Sequence, residues 1–196
     1  RAAIAMQDAF NKQHAQGIDL NGDPGGAFFS ISDPAVFNST NNKGNAQVSA
    51  TVSDVSKLGS SDYIMRYDGT KWSVTTTAGV TVPSTGTGTT AAPIVIDGLK
   101  ITVPSGTPQA GDSFQIQPTR NAASTIGVAI SDTNKIAASG PLSATKASAN
   151  TGTGKLGNLT VTDQTNPNFK TPVSIVFTSP TTYTVNGGPP QNYTDP

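Results

Sequence analysis

The spacing of apolar side chains changes along the chain from a helical period to a strand period. In residues 1 to about 16, Ala3, Met6 and Phe10 recur three and four positions apart, and Gly17 is a natural C-terminal stop. From Gln47 onward, apolar residues alternate with Ser and Thr, as they do in half-buried strands. The pattern therefore predicts an α+β, mainly β fold, in which an N-terminal helix segment precedes antiparallel β structure with short helices.

Two Asp-Gly pairs predict β-hairpins, because this dipeptide adopts the positive backbone angles that a tight turn requires. Asp68-Gly69 follows a strand at 63–67, and Asp97-Gly98 follows one at 94–96. A further strand is predicted at 113–117, where Pro118 ends it. Together these strands can form one antiparallel sheet or a sandwich. The large side chains expected to fill its core are Tyr67, Trp72, Ile101 and Phe114.

Changes in composition divide the chain into five segments. Residues 1–17 are helical and suited to packing against another helix, and 18–46 form a turn-rich connector. Residues 47–139 are a β-rich domain whose segment 119–139 has helical character, either as one helix or as two short turns. Residues 140–157 are a Ser/Ala/Gly/Thr-rich linker, and 158–196 begin a second, truncated β unit.

An internal repeat underlies the prediction of a second β unit. Residues 50–54 resemble 159–163, residues 63–67 resemble 173–177, and residues 72–74 resemble 183–185, in the same order and with one-residue slips between blocks. Generic β alternation can produce any one of these matches, whereas three in register favour duplication of a β unit.

The amino-acid composition argues against several classes of function. Only 34% of the 196 residues are hydrophobic and the formal net charge is +0, so the basic field used to bind nucleic acid or an anionic membrane is missing. No apolar run is long enough to span a membrane. All twelve acidic residues are Asp, there is one His and there is no Cys, which argues against zinc sites, thiol chemistry and glutamate acid–base pairs. A structural or binding protein without catalysis, metal or cofactor is predicted.

Three local features could be read as a ligand-binding or catalytic site, and each also has a structural interpretation. The segment from Asp19 to Pro24 resembles the start of a calcium loop, but Pro24 and Ser30 replace the expected Gly and Glu, so a turn that caps the helix is predicted instead. His14 has no evident partners and is predicted to be an exposed polar residue near the helix end. Tyr63, Tyr67, Trp72 and Phe177 could form a sugar-stacking platform, but core positions are favoured.

Three stretches resemble the flagellar hook-associated protein 1 family, the hook–filament junction proteins. They are Asn11–Gly22 with Gly25, Gly26, Phe28 and Phe29 after it; Ile96–Val103 followed by Gly111–Pro118; and Asp132–Ser139. The resemblance covers about residues 8–139 and implies an extracellular, non-enzymatic subunit of the bacterial flagellum. It also implies type III export and helical terminal segments packed as coiled coils, of which residues 1–17 are the end. Because the chain starts with Arg rather than Met, it is predicted to be an internal fragment.

The resemblance also implies partners, namely other axial proteins (the hook protein and the second junction protein), copies of the same subunit and, for the full-length protein, an export chaperone. The residues expected to matter are architectural. Met6 and Phe10 should pack the helix, Gly17, Gly22 and Gly25 with the Asp19 turn should permit the exit from helix to sheet, and Phe28 and Phe29 should anchor it. The alternative is an adhesin-like or carbohydrate-binding β domain of a surface or phage-tail protein, which requires an exposed aromatic row or a metal loop lined by carboxylates. A glycan-cleaving enzyme with an Asp pair is a third, less favoured interpretation.

Overall fold

The chain folds into two separate units. The structure, a computed structural model, describes residues 1–140, 142–152, 157, 159–163, 166, 168 and 170–193. The first unit comprises Arg1–Gly140 and the second Pro141–Pro196. No helix among these described residues is long and apolar enough to cross a membrane.

The first unit begins with helix α1, Ala2–Ala15, close to the predicted helix at residues 1 to about 16. Its buried residues are Ile4 and His14, whereas Met6 is 51% exposed and Phe10 is 44% exposed. Of the apolar stripe expected from residue spacing, Ala3 packs against the core and Phe10 contacts aromatic residues that follow the helix. Met6 is not one of the core residues. The role expected for Met6, packing against another helix, stays a prediction.

Nine short strands and two short helical segments follow in the first unit. The strands are β1 (Phe29–Ser30), β2 (Ala35–Asn38), β3 (Gln47–Val52), β4 (Tyr63–Tyr67), β5 (Trp72–Thr76), β6 (Ile94–Ile96), β7 (Leu99–Ser105), β8 (Ser113–Gln117) and β9 (Gly127–Val128). The helical segments are α2 (Ala122–Thr125) and a 3-10 turn (Thr133–Lys135). Residues 119–139 therefore contain two short helical turns, which was one of the two expectations, and not one long helix.

Two antiparallel sheets form the body of the first unit. One has the strand order β2-β8-β4-β5 and the other the order β3-β7-β6. Both predicted hairpins are present, as the pairs β4–β5 and β6–β7. Strand β2 lies inside the segment predicted as a connector and pairs with β8, while β1 pairs with β9. The sequence pattern did not predict β1 or β2.

One hydrophobic core joins the two sheets and α1. It contains Ile4 of the helix, residues of the four-stranded sheet such as Met65, and residues of the three-stranded sheet such as Ile101. Phe114 is also buried, but Tyr67 and Trp72 are only half-buried, so they fill the margin of the core rather than its centre. The centre is filled by Tyr63, Met65, Val74, Ile94, Ile96, Leu99, Ile101 and Ile116, each at most 2% exposed.

The second unit contains a small antiparallel sheet of three strands in sequence order, β10 (Ile175–Ser179), β11 (Thr182–Val185) and β12 (Gln191–Asn192). Two of the three repeated blocks, 173–177 and 183–185, lie on or beside β10 and β11. The first block, 159–163, is not a strand in this structure, although its counterpart at 50–54 includes the end of β3.

Candidate functional site

Three phenylalanine rings hold the end of α1 against the chain that leaves it. The centroid of Phe10 lies 4.8 Å from that of Phe28 and 5.1 Å from that of Phe29, and the last two are 4.9 Å apart. These tilted and edge-to-face arrangements are the favoured geometries for aromatic pairs. Phe28 and Phe29 thus contact the helix directly, in the arrangement expected of an anchor.

Asn11 fixes the backbone of this phenylalanine pair. Its Oδ1 accepts hydrogen bonds from the amides of Phe28 and Phe29, both at 2.9 Å, and its Nδ2 donates to the Phe29 carbonyl at 2.9 Å. One side chain therefore satisfies three backbone groups just before and at the start of β1. The sequence pattern does not predict this role for Asn11.

His14 is buried, not exposed as predicted, with 6% of its surface accessible. Its Nδ1 lies 2.8 Å from the Gly26 carbonyl, and its Nε2 accepts a 2.8 Å hydrogen bond from the amide of Ala137. Since a carbonyl can only accept, Nδ1 carries the proton and the ring is the neutral tautomer. The prediction was wrong because both partners are backbone groups, one of them 123 residues away, and backbone partners leave no pattern in a sequence.

The segment that includes Ala137 closes over the exit from α1. The Ile18 amide donates to the Ser139 carbonyl at 2.9 Å, and the Leu20 amide donates to the Asn134 carbonyl at 3.0 Å. Two of the stretches that carry the family resemblance, Asn11–Phe29 and Asp132–Ser139, therefore meet in space. We refer to this arrangement of α1, residues 17–30 and residues 132–139 as the helix junction.

Gly17 and Gly25 allow this close approach. A Cβ atom at Gly17 would collide with the backbone of Ala137, and one at Gly25 would lie 2.7 Å from both His14 Nδ1 and Ala137 Cβ. Real side chains do not tolerate such distances, so these positions require glycine for space. Gly22 meets nothing within 4 Å but has φ +77°, so its requirement is conformational.

The Asp19 carboxylate organises the turn that contains Gly22. Asp19 Oδ1 accepts hydrogen bonds from the amides of Asn21 and Asp23, both at 2.8 Å. This is the local backbone bonding for which Asp is favoured in turns. Among the described residues, no three His, Cys, Asp or Glu side chains are grouped as a metal ion would need.

Two carboxylates stiffen the β structure outside the helix junction. Asp112, 1% exposed, accepts hydrogen bonds from the amides of Gln109, Lys43 and Gly44, and the bond from Gln109 contributes most to lowering its pKa. Asp68 accepts from the amides of Lys71 and Thr70 in the β4–β5 turn, which lowers its pKa to about 2. Both carboxylates accept hydrogen bonds from backbone amides, so their role is structural.

The aromatic residues weighed as a sugar platform do not form an exposed row in the first unit. Tyr63 is 1% exposed. Trp72 is half-buried and packs between Tyr67, at a centroid distance of 4.8 Å, and Phe114, at 5.9 Å. Phe177, the fourth of these residues, is 55% exposed, so the core position expected for it is wrong. An exposed aromatic row is not found at Tyr63, Tyr67 and Trp72.

Comparison with known proteins gives the same family as the resemblance. A profile described as "Flagellar hook-associated protein 1, D2-like domain" matches residues 36–118, the span from β2 to the end of β8. The flagellar hook-associated protein 1 of Escherichia coli (strain K12) is 42% identical over 135 residues, and that of Salmonella typhimurium is 40% identical over 136. The matched part of the chain belongs to the flagellar hook-associated protein 1 family.

A solved member of this family has a similar structure. The flagellar hook junction protein FlgK from Burkholderia pseudomallei superposes with a TM-score of 0.60 and 38% identity, over 69% of this chain and 25% of that one. The two sequence relatives are likewise matched over 69% of this chain. The chain spans only about a quarter, 24%, of the length of these hook-associated proteins.

Proposed function

We propose that this chain is part of a structural adaptor of the bacterial flagellum at the hook–filament junction, and that it acts by packing and surface complementarity rather than by catalysis. The observation that carries the proposal is the 42% identity over 135 residues to a protein named for its association with the hook. The hook junction protein FlgK, with a TM-score of 0.60, supports it independently through the fold.

The helix junction supports this role in physical terms. An adaptor must transmit force between assemblies, so a β domain that sits on a helix needs a rigid attachment. Here the attachment combines an aromatic cluster around Phe10, the three hydrogen bonds of Asn11 and the bridge made by His14. These contacts involve fixed backbone groups on three separate segments, which favours a defined angle between α1 and the sheets.

The exposed residues of α1 are the proposed packing surface. Met6 is 51% exposed and Phe10 is 44% exposed, although both are apolar. In a protein assembled from many subunits, such residues are available to pack against other helices of the same subunit or of its neighbours. Copies of the same protein, the hook protein and the second junction protein are the partners proposed, in an extracellular assembly.

Immunogold labelling tests the proposal in the bacterium that makes the protein. Antibodies raised against the 196-residue chain are expected to label one band where the hook meets the filament. Deletion of the gene is expected to leave hooks that carry no filament and to abolish swimming. Labelling along the cell surface with normal filaments in the deletion strain would instead support the adhesin-like alternative.

A point variant separates assembly from folding in the same strain. Met6→Asp leaves the core unchanged because Met6 is exposed, and it is expected to reduce swimming while the protein is still made and exported. Lys12→Ala is the matched control, since Lys12 is exposed on the same helix and pairs only with Asp8. Normal swimming with Met6→Asp would contradict the proposed packing surface.

A further inference from the structure

The β10–β11 hairpin of the second unit copies the cross-strand register of the β4–β5 hairpin of the first. The sequence repeat predicts equivalent blocks, but it does not say which residues face each other across strands. Three pairs correspond: Met65↔Val74 to Ile175↔Val185, Arg66↔Ser73 to Val176↔Thr184, and Tyr67↔Trp72 to Phe177↔Tyr183. A slip of one residue would exchange the two faces of the strand, so agreement in all three pairs is a specific result.

The two hairpins differ in what borders the first strand. In the first unit, β4 lies between β5 and β8, with Tyr63 opposite Ile116 and Met65 opposite Phe114. In the second unit, β10 is the edge strand of its sheet as far as the described residues extend. Among the described residues of the second unit, no strand therefore pairs with the side of β10 that corresponds to the β8 side of β4.

The corresponding side chains differ in exposure in the same way. Met65 is fully buried, whereas its counterpart Ile175 is 43% exposed. Tyr63 is 1% exposed, whereas its counterpart Val173 is 62% exposed. Phe177, the counterpart of Tyr67, is 55% exposed. The apolar face that forms a core in the first unit is thus uncovered in the second.

The chemistry of this edge favours strand addition. None of the residues in β10, β11 and β12 is charged, and Phe177, Tyr183 and Tyr193 form an aromatic cluster with centroid distances of 5.2 to 6.3 Å. Charged side chains are the usual protection of an edge strand against pairing, because its outward N–H and C=O groups are otherwise a template for another strand. This edge lacks that protection.

We infer that the open edge of β10 binds an extended strand of the β8 type, in the antiparallel register that β8 has on β4. Such a strand is uncharged over about five residues and carries large apolar side chains at alternate positions, as in Ser113–Gln117, so that they lie opposite Val173 and Ile175. Its source is the same kind of polypeptide, since the matched relatives are about four times longer than the part this chain spans. The inference does not depend on the proposed flagellar role.

Titration of the 196-residue chain with a labelled peptide tests this inference. The peptide has the sequence of Gly111–Thr119, and the control peptide has Ser at the positions of Phe114 and Ile116. Saturable one-to-one binding is expected for the first peptide, with at least about ten-fold weaker binding of the control. Hydrogen exchange should slow at the amides of Val173, Ile175 and Phe177, which point away from β11, and nowhere in the first unit.

Two protein variants locate the binding edge. Ile175→Asp is expected to weaken peptide binding at least about ten-fold, because it places a charge opposite the apolar side chain of the added strand. Val128→Asp is the matched control, since Val128 is also an exposed apolar residue, 62% accessible, on the short edge strand β9. It should leave binding unchanged.

Three results would overturn the inference. One is the lack of saturable binding. Another is faster exchange confined to β8, which would mean that the peptide displaces β8 from its place between β2 and β4 in the first unit. The third is a dimer of the chain alone, seen by analytical ultracentrifugation and abolished by Ile175→Asp, which would assign the edge to a second copy of β10. Hydrogen exchange is measured on the unaltered chain, so it locates the bound peptide even if a variant fails to fold.

Discussion

The hydroxyl of Tyr63 donates a 2.8 Å hydrogen bond to Oδ2 of Asp97 and thereby connects the two sheets of the first unit. Tyr63 lies in β4 of the four-stranded sheet, while Asp97 lies in the turn between β6 and β7 of the other. Asp97 adopts φ 38°, which is uncommon for a residue with a side chain. The hydrogen bond therefore holds the two sheets together at this point and stabilises a strained turn.

Replacement of Tyr63 by Phe is expected to lower the free energy of unfolding by about 1.5 to 3 kcal/mol, the range for a hydrogen bond to a charged group. The ring still fills the core, so the loss measures the bond itself. Urea unfolding followed by tryptophan fluorescence gives the value. Tyr67→Phe is the control, because Tyr67 is only half-buried, and an equal loss in both variants would contradict the specific role of Tyr63.

The same bond predicts a pH dependence. Burial, followed by the hydrogen bond and charge of Asp97, raises the pKa of Tyr63 above its ordinary value near 10. A group with a raised pKa in the folded state contributes stability that is complete below its unfolded pKa and is lost as the pH rises toward the folded one. The stability difference between wild type and Tyr63→Phe should therefore be constant up to about pH 9 and shrink above pH 10.

Asp112 gives the opposite dependence. Its pKa is lowered, chiefly by the hydrogen bond from the Gln109 amide, with smaller contributions from Lys43 and Gly44. A lowered pKa contributes stability above the unfolded value near 4, and that stability is lost as the pH falls. Asp112→Asn should destabilise the protein at pH 7, because an amide group would face backbone donors, and the difference from wild type should shrink below about pH 4.

Unfolding curves at pH 7, 5 and 3 measure this difference. Asp33→Asn, at an exposed position, is the matched control and should leave stability nearly unchanged at each pH. The prediction is contradicted if the difference in free energy of unfolding between wild type and Asp112→Asn is the same at pH 7 and pH 3. The three backbone amides would then not act by stabilising the charged form of the carboxylate.

Local patterns predicted the elements of this fold better than the contacts between them. The Asp68-Gly69 and Asp97-Gly98 turns predicted both hairpins, because a turn depends on neighbouring residues only. The short strands β1 and β2 were missed, because two to four residues show little periodicity and owe their structure to partners far along the chain.

The helix junction illustrates the limit most clearly. Phe28 and Phe29 contact Phe10 in the structure, and their role as an anchor of the exit from α1 stays a prediction. His14 was predicted exposed because no acidic or metal-binding partner was visible. Its actual partners are the Gly26 carbonyl and the Ala137 amide, and backbone groups exist at every position, so a sequence cannot mark them.

Replacement of His14 by Leu is expected to destabilise the first unit by about 1 to 3 kcal/mol, because it leaves the buried amide of Ala137 without its hydrogen-bond acceptor. His14→Gln should recover part of the loss, because its amide can both donate and accept. Hydrogen exchange at the Ala137 amide reports the bond directly. If exchange there is as slow in His14→Leu as in wild type, the bridge is not what closes the helix junction.

A change of one atom type tests the Asn11 contacts. Asn11→Asp keeps the size of the side chain and the two bonds from the Phe28 and Phe29 amides, but it replaces the Nδ2 donor with an oxygen that faces the Phe29 carbonyl. We expect a loss of about 1 to 3 kcal/mol in the free energy of unfolding. Gln13→Glu on the exposed side of α1 is the control and should change stability by less than about 0.5 kcal/mol.

Adjacent glycines provide the sharpest comparison at the helix junction. Gly25→Ala would place a methyl group against the His14 carbonyl, His14 Nδ1 and Ala137 Cβ, whereas Gly26→Ala meets nothing within 4 Å. Neither glycine has a positive φ, so the two changes differ in space and not in backbone conformation. Gly25→Ala is expected to cost about 1 to 3 kcal/mol, and Gly26→Ala should be neutral or slightly stabilising through the unfolded chain. Thermal unfolding of both variants measures the difference, and equal stability would mean that α1 and residues 132–139 can move apart without cost.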